Sequence, residues 1–192
     1  MFDRELRDLT FVQRWGILRR SRAQNVPEHS YYVALYAIET ARFIEWEGDM
    51  ARMMHHALAH DIPEVWTGDV PGPSKRQIVD RQLLFAFEED RMRCILPTHA
   101  GAYGETDPEI KAIVAFADVL EAVLYLADEF NMGNRSVGEV DDRRSPLGAN
   151  IYRMAQKIAH LPCLDSTQEK LTHMCRIAVN QAMNGISRIV ID

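Results

Sequence analysis

The sequence predicts an all-α fold, and three observations carry that reading. Apolar residues recur at three- and four-residue steps over long stretches, the spacing of one helix face. Helix-start signals head these stretches, most clearly Asp107-Pro108-Glu109, an N-cap, a first-turn proline and an acidic first turn. No run of four or more alternating residues occurs before Ile186 to Ile191, so strands are expected nowhere else.

The elements follow in order. A helix is expected over residues 28–46, with Val33, Ala37, Phe43 and Ile44 inward, Pro27 just ahead and Gly48 ending it. Asp49 is placed to cap a second over 50–60. Pro63 interrupts, and residues 67–73 read as a rigid loop dense in glycine and proline. Ser74 is placed to cap a third long helix over about 75–96, with Ile78, Leu83, Leu84, Phe87, Met92 and Ile95 inward. Residues 97–106 read as a loop. The helix over about 108–132 is the most apolar and is expected at the centre of the molecule. Residues 133–148 read as an exposed loop, a lid or a connection, before helices over about 149–160 and 166–183. Met53, Met54 and Met92 stand at core spacings. The 192 residues suit one domain, 1–192, without repeats.

Composition narrows the function. Acidic residues number 28 against 22 basic, a net charge of −6, which argues against a nucleic-acid polymer as partner but leaves room for a basic pocket holding a small anion. No stretch reaches the roughly 18–20 apolar residues of a membrane span, so no membrane partner is expected. The N-terminal residues have no continuous apolar region of the signal-peptide kind. Three widely spaced cysteines, Cys94, Cys163 and Cys175, exclude a disulfide framework and fit a reduced, cytoplasmic protein.

Seven histidines include the run His55-His56-Ala57-Leu58-Ala59-His60-Asp61. His56 and His60 share a helix face, but Ala57 stands where a zincin needs glutamate, so the metalloprotease reading fails. His60-Asp61 at a helix end is a normal ligand pair for a divalent cation. Alone it would be a surface pair. His29 heads the earlier helix, and Asp118 lies among Phe116, Ala117, Val119 and Leu120, where a carboxylate is costly to bury unless paired or bound to metal. His29, His60, Asp61 and Asp118 together give two nitrogens and two carboxylates. His55 and His56 read as packing histidines, and His99, His160 and His173 as structural.

The order H…HD…D resembles the HD-domain metal-dependent phosphohydrolases. Arg14-Trp15, Asn25-Val26-Pro27-Glu28-His29-Ser30 and His60-Asp61-Ile62-Pro63-Glu64-Val65-Trp66-Thr67-Gly68-Asp69 resemble the YfbR-type 5′-deoxynucleotidase branch over roughly residues 11–130. The resemblance implies a single HD-domain helical bundle, a homodimer, and a divalent ion (Co, Mn, Zn, Fe or Ni) held by His29, His60, Asp61 and Asp118. It implies that Glu64 positions or deprotonates the attacking water and that Asp69 assists the water or protonates the leaving 5′-oxygen. Arg14 and Lys75 would hold the phosphate. Trp15 would pack on the sugar and favour deoxyribose; a tryptophan by itself is more often a core aromatic, and its place after Arg14 brings the substrate reading level with that one.

The expected function is hydrolysis of a deoxynucleoside 5′-monophosphate to deoxynucleoside and phosphate. Release of triphosphate from a deoxynucleoside triphosphate, as in phage-type dATP triphosphohydrolases, is the alternative that Arg20, Arg22, Lys75 and Arg76 keep open by their excess charge. A non-catalytic nucleotide sensor is a further alternative, against which Glu64 and Asp69 count, because a binder needs no water activator. A cyclic-nucleotide phosphodiesterase is more distant, with His99 the one spare ligand.

Overall fold

The computed structural model describes residues 4–77 and 80–184, apart from the Arg76 side chain, and within them the chain is helical. The helices are α1 (Glu5–Asp8), α2 (Val26–Phe43), α3 (Met50–Ala59), α4 (Glu64–Thr67), α5 (Gly72–Gln77), α6 (Arg81–Ile95), α7 (Pro97–Tyr103), α8 (Pro108–Asn131), α9 (Pro146–Ile158) and α10 (Asp165–Met183). Among the described residues there is no strand, only an isolated antiparallel bridge between Gln13 and Asn25. The stretch from Ile186 to Ile191 lies outside them.

α8 is the axis. Asp107 caps it through the Glu109 and Ile110 amides, and Ile113, Phe116, Ala117, Val123 and Leu126 are fully buried along it. α2, α3, α9 and α10 pack around it. Their apolar faces form the main core, which includes Val33, Ala37, Met53, Ala57, Leu147 and Val179. A smaller core of Leu9, Val26, Ala59, Ile62, Met92 and Leu96 lies beside it. Both α2 and α3 contribute to both cores, so the seam between the cores crosses the start of α2 and the end of α3.

Several expectations are corrected. The first helix ends at Phe43, because Glu45 turns the chain with a positive φ of 54°. Gly48 instead lies against the Trp46 ring, where an added Cβ would come within 2.0 Å. The long third helix is two helices, since Asp80 is extended and accepts from the Gln82 and Leu83 amides to start α6 anew. Its expected inner face is only partly inward: Met92 is buried and Leu84 and Ile95 are half-buried, but Leu83 is 70% exposed and Phe87 is also exposed, while Ile78 lies outside the described residues.

Residues 97–103 are helical, not loop. α7 is held by tertiary contacts, with the Tyr103 hydroxyl donating to Glu88 at 2.7 Å and its ring stacked on Phe85. Met54 is exposed, unlike Met53 and Met92. Residues 133–148 are not simply an exposed connection, because Val137 is fully buried and α9 already begins at Pro146. His160 and His173 are exposed.

Candidate metal centre and substrate cleft

The first turn of α2 is built to present His29. The Asn25 side chain accepts from the Glu28 amide at 2.9 Å, and Pro27 sits where its missing N–H costs nothing. His29 follows and is fully buried. α3 presents the second histidine from its opposite end. His60 is its C-cap, and His60 Nδ1–H donates to the Ala57 carbonyl at 2.7 Å, which fixes the ring and leaves Nε2 for the site. The two rings stand 5.4 Å apart.

Asp61 Oδ2 lies 3.3 Å from His60 Nε2 and 3.6 Å from His29 Nε2. Asp118 Oδ1, from α8, lies 3.2 Å from His29 Nε2. One donor atom from each of His29, His60 and Asp61 falls within 4.8 Å of the others. Both Nε2 atoms are buried without a hydrogen-bond partner. Two orphaned imidazole nitrogens facing carboxylates make a donor set that fits a divalent cation.

The electrostatics agree. Burial and the nearby Arg14 push the His29 pKa down, yet Asp118 and Glu121 outweigh them and lift it to about 9. Positive charge is favoured at this point. Desolvation works against the charges of Asp61 and Asp118, but the two histidines and Arg14 hold both carboxyls below their ordinary range.

Asp118 itself departs from expectation. Its side chain is 40% exposed and opens onto a cleft, so it is not the buried carboxylate of the apolar helix. That description belongs to Glu121 and Glu129, which are 4% and 0% exposed and were not singled out from the sequence. Glu121 Oε2 accepts from His29 Nδ1 at 2.6 Å and from Arg14 at 3.1 Å, and its Oε1 accepts from Gln24 at 2.6 Å. Glu129 accepts from the Ser21 and Arg22 amides and from Asn134, which pins the segment before α2 to the far end of α8. The cost-of-burial argument applied to Asp118 would have found Glu121, one helical turn further on.

The cleft beside the cluster has a volume of about 440 Å³. Arg14, Trp15, Asp61, Glu64, Asp69, Lys75 and Asp118 all line it, so the residues singled out from the sequence converge there, with His29 and His60 behind them. Lys75 Nζ donates to Glu64 Oε1 at 3.1 Å, whereas Glu64 Oε2 is buried without a partner. Burial and Asp61 raise the Glu64 pKa to about 8 against the pull of Lys75. Asp69 accepts from the Trp15 amide at 3.1 Å, which holds Trp15 at a φ of 64°. The Trp15 ring stacks on Tyr125 at 5.4 Å, and its Nε1–H donates to Gln24.

The opposite wall, which no sequence motif marks, is formed by Ser145, Ala149, Asn150 and Arg153 at the start of α9 with Arg144 just before it. Arg20 and Arg22 are not among the lining residues; Arg20 donates to the Arg14 carbonyl and Arg22 pairs with Glu28. His55 and His99 bond to each other at 3.0 Å, and His56 donates to the Ala102 carbonyl at 2.8 Å, so these histidines join α3 to α7.

Known proteins resemble this chain on two levels. The 5′-deoxynucleotidase YfbR-like family matches residues 1–155. A 5′-deoxynucleotidase of Pectobacterium atrosepticum is 31% identical over 150 residues, 69% of this chain and 74% of that protein. One from Yersinia pestis is 31% identical over 153 residues, 69% and 75% of the two chains. Among solved structures, the HD phosphohydrolase of cyanophage S-2L, bound to dA and one catalytic Zn2+ ion, superposes with a TM-score of 0.75 at 22% identity, covering 94% of this chain and 98% of its own. An HD-domain phosphohydrolase of Listeria innocua gives 0.69 at 19% identity, covering 94% and 90%. At these identities the structures establish the shared fold.

Proposed function

The chain belongs to the YfbR-like 5′-deoxynucleotidase family, and on that premise we propose that it hydrolyses deoxynucleoside 5′-monophosphates to deoxynucleoside and phosphate. The observation that carries the proposal is the pair of buried, unpartnered Nε2 atoms on His29 and His60, grouped with Asp61 and Asp118 at the base of a cleft that also holds two cations, Arg14 and Lys75. His29, His60, Asp61 and Asp118 hold a divalent ion in this reading. When bound, such an ion lowers the pKa of water and polarises phosphoryl oxygens.

The protein's own groups divide the remaining work. Arg14 and Lys75 bind the phosphate and offset charge that gathers on its oxygens. Glu64 orients the attacking water and takes its proton, using the oxygen not bonded to Lys75. The water oxygen bonds to phosphorus as the bond to the 5′-oxygen breaks, and that oxygen takes a proton. Asp69 assists the water or supplies that proton. Trp15, held by Asp69 and stacked on Tyr125, forms the wall that a 2′-hydroxyl would crowd.

The triphosphohydrolase reading loses the support of Arg20 and Arg22 but gains Arg144 and Arg153 on the opposite wall of the cleft. The dA bound by the cyanophage protein suits either substrate. We read residues 1–192 as one HD domain, and the protein as cytoplasmic and without a nucleic-acid polymer as partner. No described helix is long and apolar enough to cross a membrane. Exposed Tyr31, Tyr32 and Leu35 on α2 and Leu83, Phe85 and Phe87 on α6 support a homodimer.

The test incubates protein reconstituted with Co, Mn or Zn with dAMP, AMP and dATP in parallel and separates the products by chromatography. Deoxyadenosine and phosphate from dAMP, with little adenosine from AMP, is the expected result. Triphosphate from dATP with dAMP intact moves the assignment to the alternative. Turnover of none of these by any metal form, followed by none with the other bases, leaves the nucleotide sensor.

A further inference from the structure

A line of hydrogen bonds runs from the cleft wall to the metal cluster, and the reaction proposed above makes no use of it. Trp15 Nε1–H donates to Gln24 Oε1 at 2.9 Å. Gln24 Nε2–H donates to Glu121 Oε1 at 2.6 Å. Glu121 Oε2 accepts from His29 Nδ1 at 2.6 Å and from Arg14 Nη1 at 3.1 Å. Gln24 is 1% exposed, His29 0% and Glu121 4%, so water is in no position to replace these partners.

The line has a direction, and the indole sets it. An indole nitrogen only donates, so Gln24 must turn its oxygen to Trp15 and its amide hydrogens to Glu121. The arginine also only donates. A carboxylate, having no hydrogen to give, accepts from all three sides. His29 Nδ1 must then carry a proton, so that once the ring is neutral its lone pair is on Nε2, on the side where His60, Asp61 and Asp118 gather.

We propose that Glu121 is a positioning residue that, with Gln24 and Trp15 behind it, locks His29 in the tautomer that binds a divalent cation through Nε2. The proposal rests on the reading of His29 as a metal ligand. Because Glu121 also holds Arg14, the cation site and the phosphate site share one anchor.

The test measures cation affinity without nucleotide. Full-length protein stripped by a chelator is titrated with Mn2+ or Co2+ against a chromophoric competitor, with circular dichroism as the check on folding. E121Q offers one acceptor oxygen to three donors and is expected to bind about 10- to 100-fold more weakly. The exchange E121Q/Q24E moves the carboxylate one step along the line. It then accepts from Trp15 and from the amide at 121, whose oxygen again accepts from His29 and Arg14, and affinity is expected to return to within a few-fold of wild type. A purely structural or net-charge role gives no such recovery. W15F, which frees Gln24 to turn over, is expected to weaken binding by a smaller factor than E121Q.

Wild type that binds no cation overturns the ligand assignment and this proposal with it. Wild type that binds while E121Q binds equally well, or an exchange no tighter than E121Q, overturns the positioning role alone. Should E121Q not fold, the two-bond 1H–15N spectrum of Zn2+-loaded wild type decides: a His29 protonated on Nδ1 is expected, and one protonated on Nε2 overturns the proposal.

Discussion

Lys75 Nζ donates to Glu64 Oε1 at 3.1 Å and ties α5 to α4 across the loop of residues 68–71, while the other Glu64 oxygen stays buried and unpartnered. The lysine does not neutralise its partner: burial, then the charge of Asp61, still raises the Glu64 pKa to about 8. The fold therefore carries a carboxyl group that prefers its proton in the absence of a cation.

That preference has a sign in stability. A carboxyl whose folded pKa exceeds its unfolded value stabilises fully below about 4.5, and that contribution is lost as the pH rises towards about 8. E64Q mimics the protonated form at every pH. In chelator-treated protein the variant is expected to match wild type near pH 4 and to exceed it at pH 8.5 by about 3–5 kcal/mol. Chemical denaturation at the two pH values reads the difference, and an equal gap at both contradicts the raised pKa.

Trp15 is fixed at three points, its amide on Asp69, its Nε1 on Gln24 and its ring on Tyr125. In the proposed reaction a wall held so firmly would discriminate by shape. W15A is expected to lower the ratio of kcat/KM for dAMP over AMP by about tenfold, in line with the loss of one steric contact at a sugar hydroxyl. Parallel kinetics with the two nucleotides checks it, and an unchanged ratio removes Trp15 from sugar selection.

Gly148 lies inside α9, where alanine would ordinarily stabilise by up to about 1 kcal/mol. Here a Cβ would sit 2.3 Å from the Asp142 carbonyl oxygen and 2.8 Å from that of Glu139, both backbone atoms. The clash reverses the sign, and G148A is expected to destabilise by about 1–3 kcal/mol. A melting temperature at or above wild type contradicts the close approach of α9 to the preceding loop.

The cysteines are expected to react in a fixed order. Cys94 is exposed, Cys163 half-buried, and Cys175 buried with its thiol pushed up to about 12 by desolvation. A disulfide reagent at pH 8 should modify Cys94 first and leave Cys175 untouched until denaturant is added. Prompt modification of Cys175 in native protein contradicts the packing of α10 on α8.

What the sequence made legible was local. Asp49 and Asp107 cap the helices they were expected to cap, because a cap bonds to amides two or three residues away. The order of His29, His60, Asp61 and Asp118 pointed to four residues that the fold brings together. Glu121 carried a signal in its apolar neighbours, but its partners did not, because they lie 92 to 107 residues away in the chain. α7 was hidden by Pro97, Gly101 and Gly104, which read as breakers until Glu88 and Phe85 supply the order. The division between α5 and α6 turned on Asp80, a cap inside what looked like one continuous apolar period.

α8 carries Asp118 beside His29, His60 and Asp61, Glu121 beneath His29 and Glu129 under the segment that leads back to Arg14 and Trp15. From Asp118 to Glu129 spans roughly 16 Å of helix axis, a distance fixed by the 1.5 Å rise per residue. Loss of a single residue between them would turn everything beyond it by about 100° and take Glu129 off its face. This stretch is therefore closed to insertion and deletion, however freely its side chains are exchanged. After Gly133 the restraint is of another kind, because the wall that α9 lends to the cleft is placed by its packing on α8 and not by helix phase.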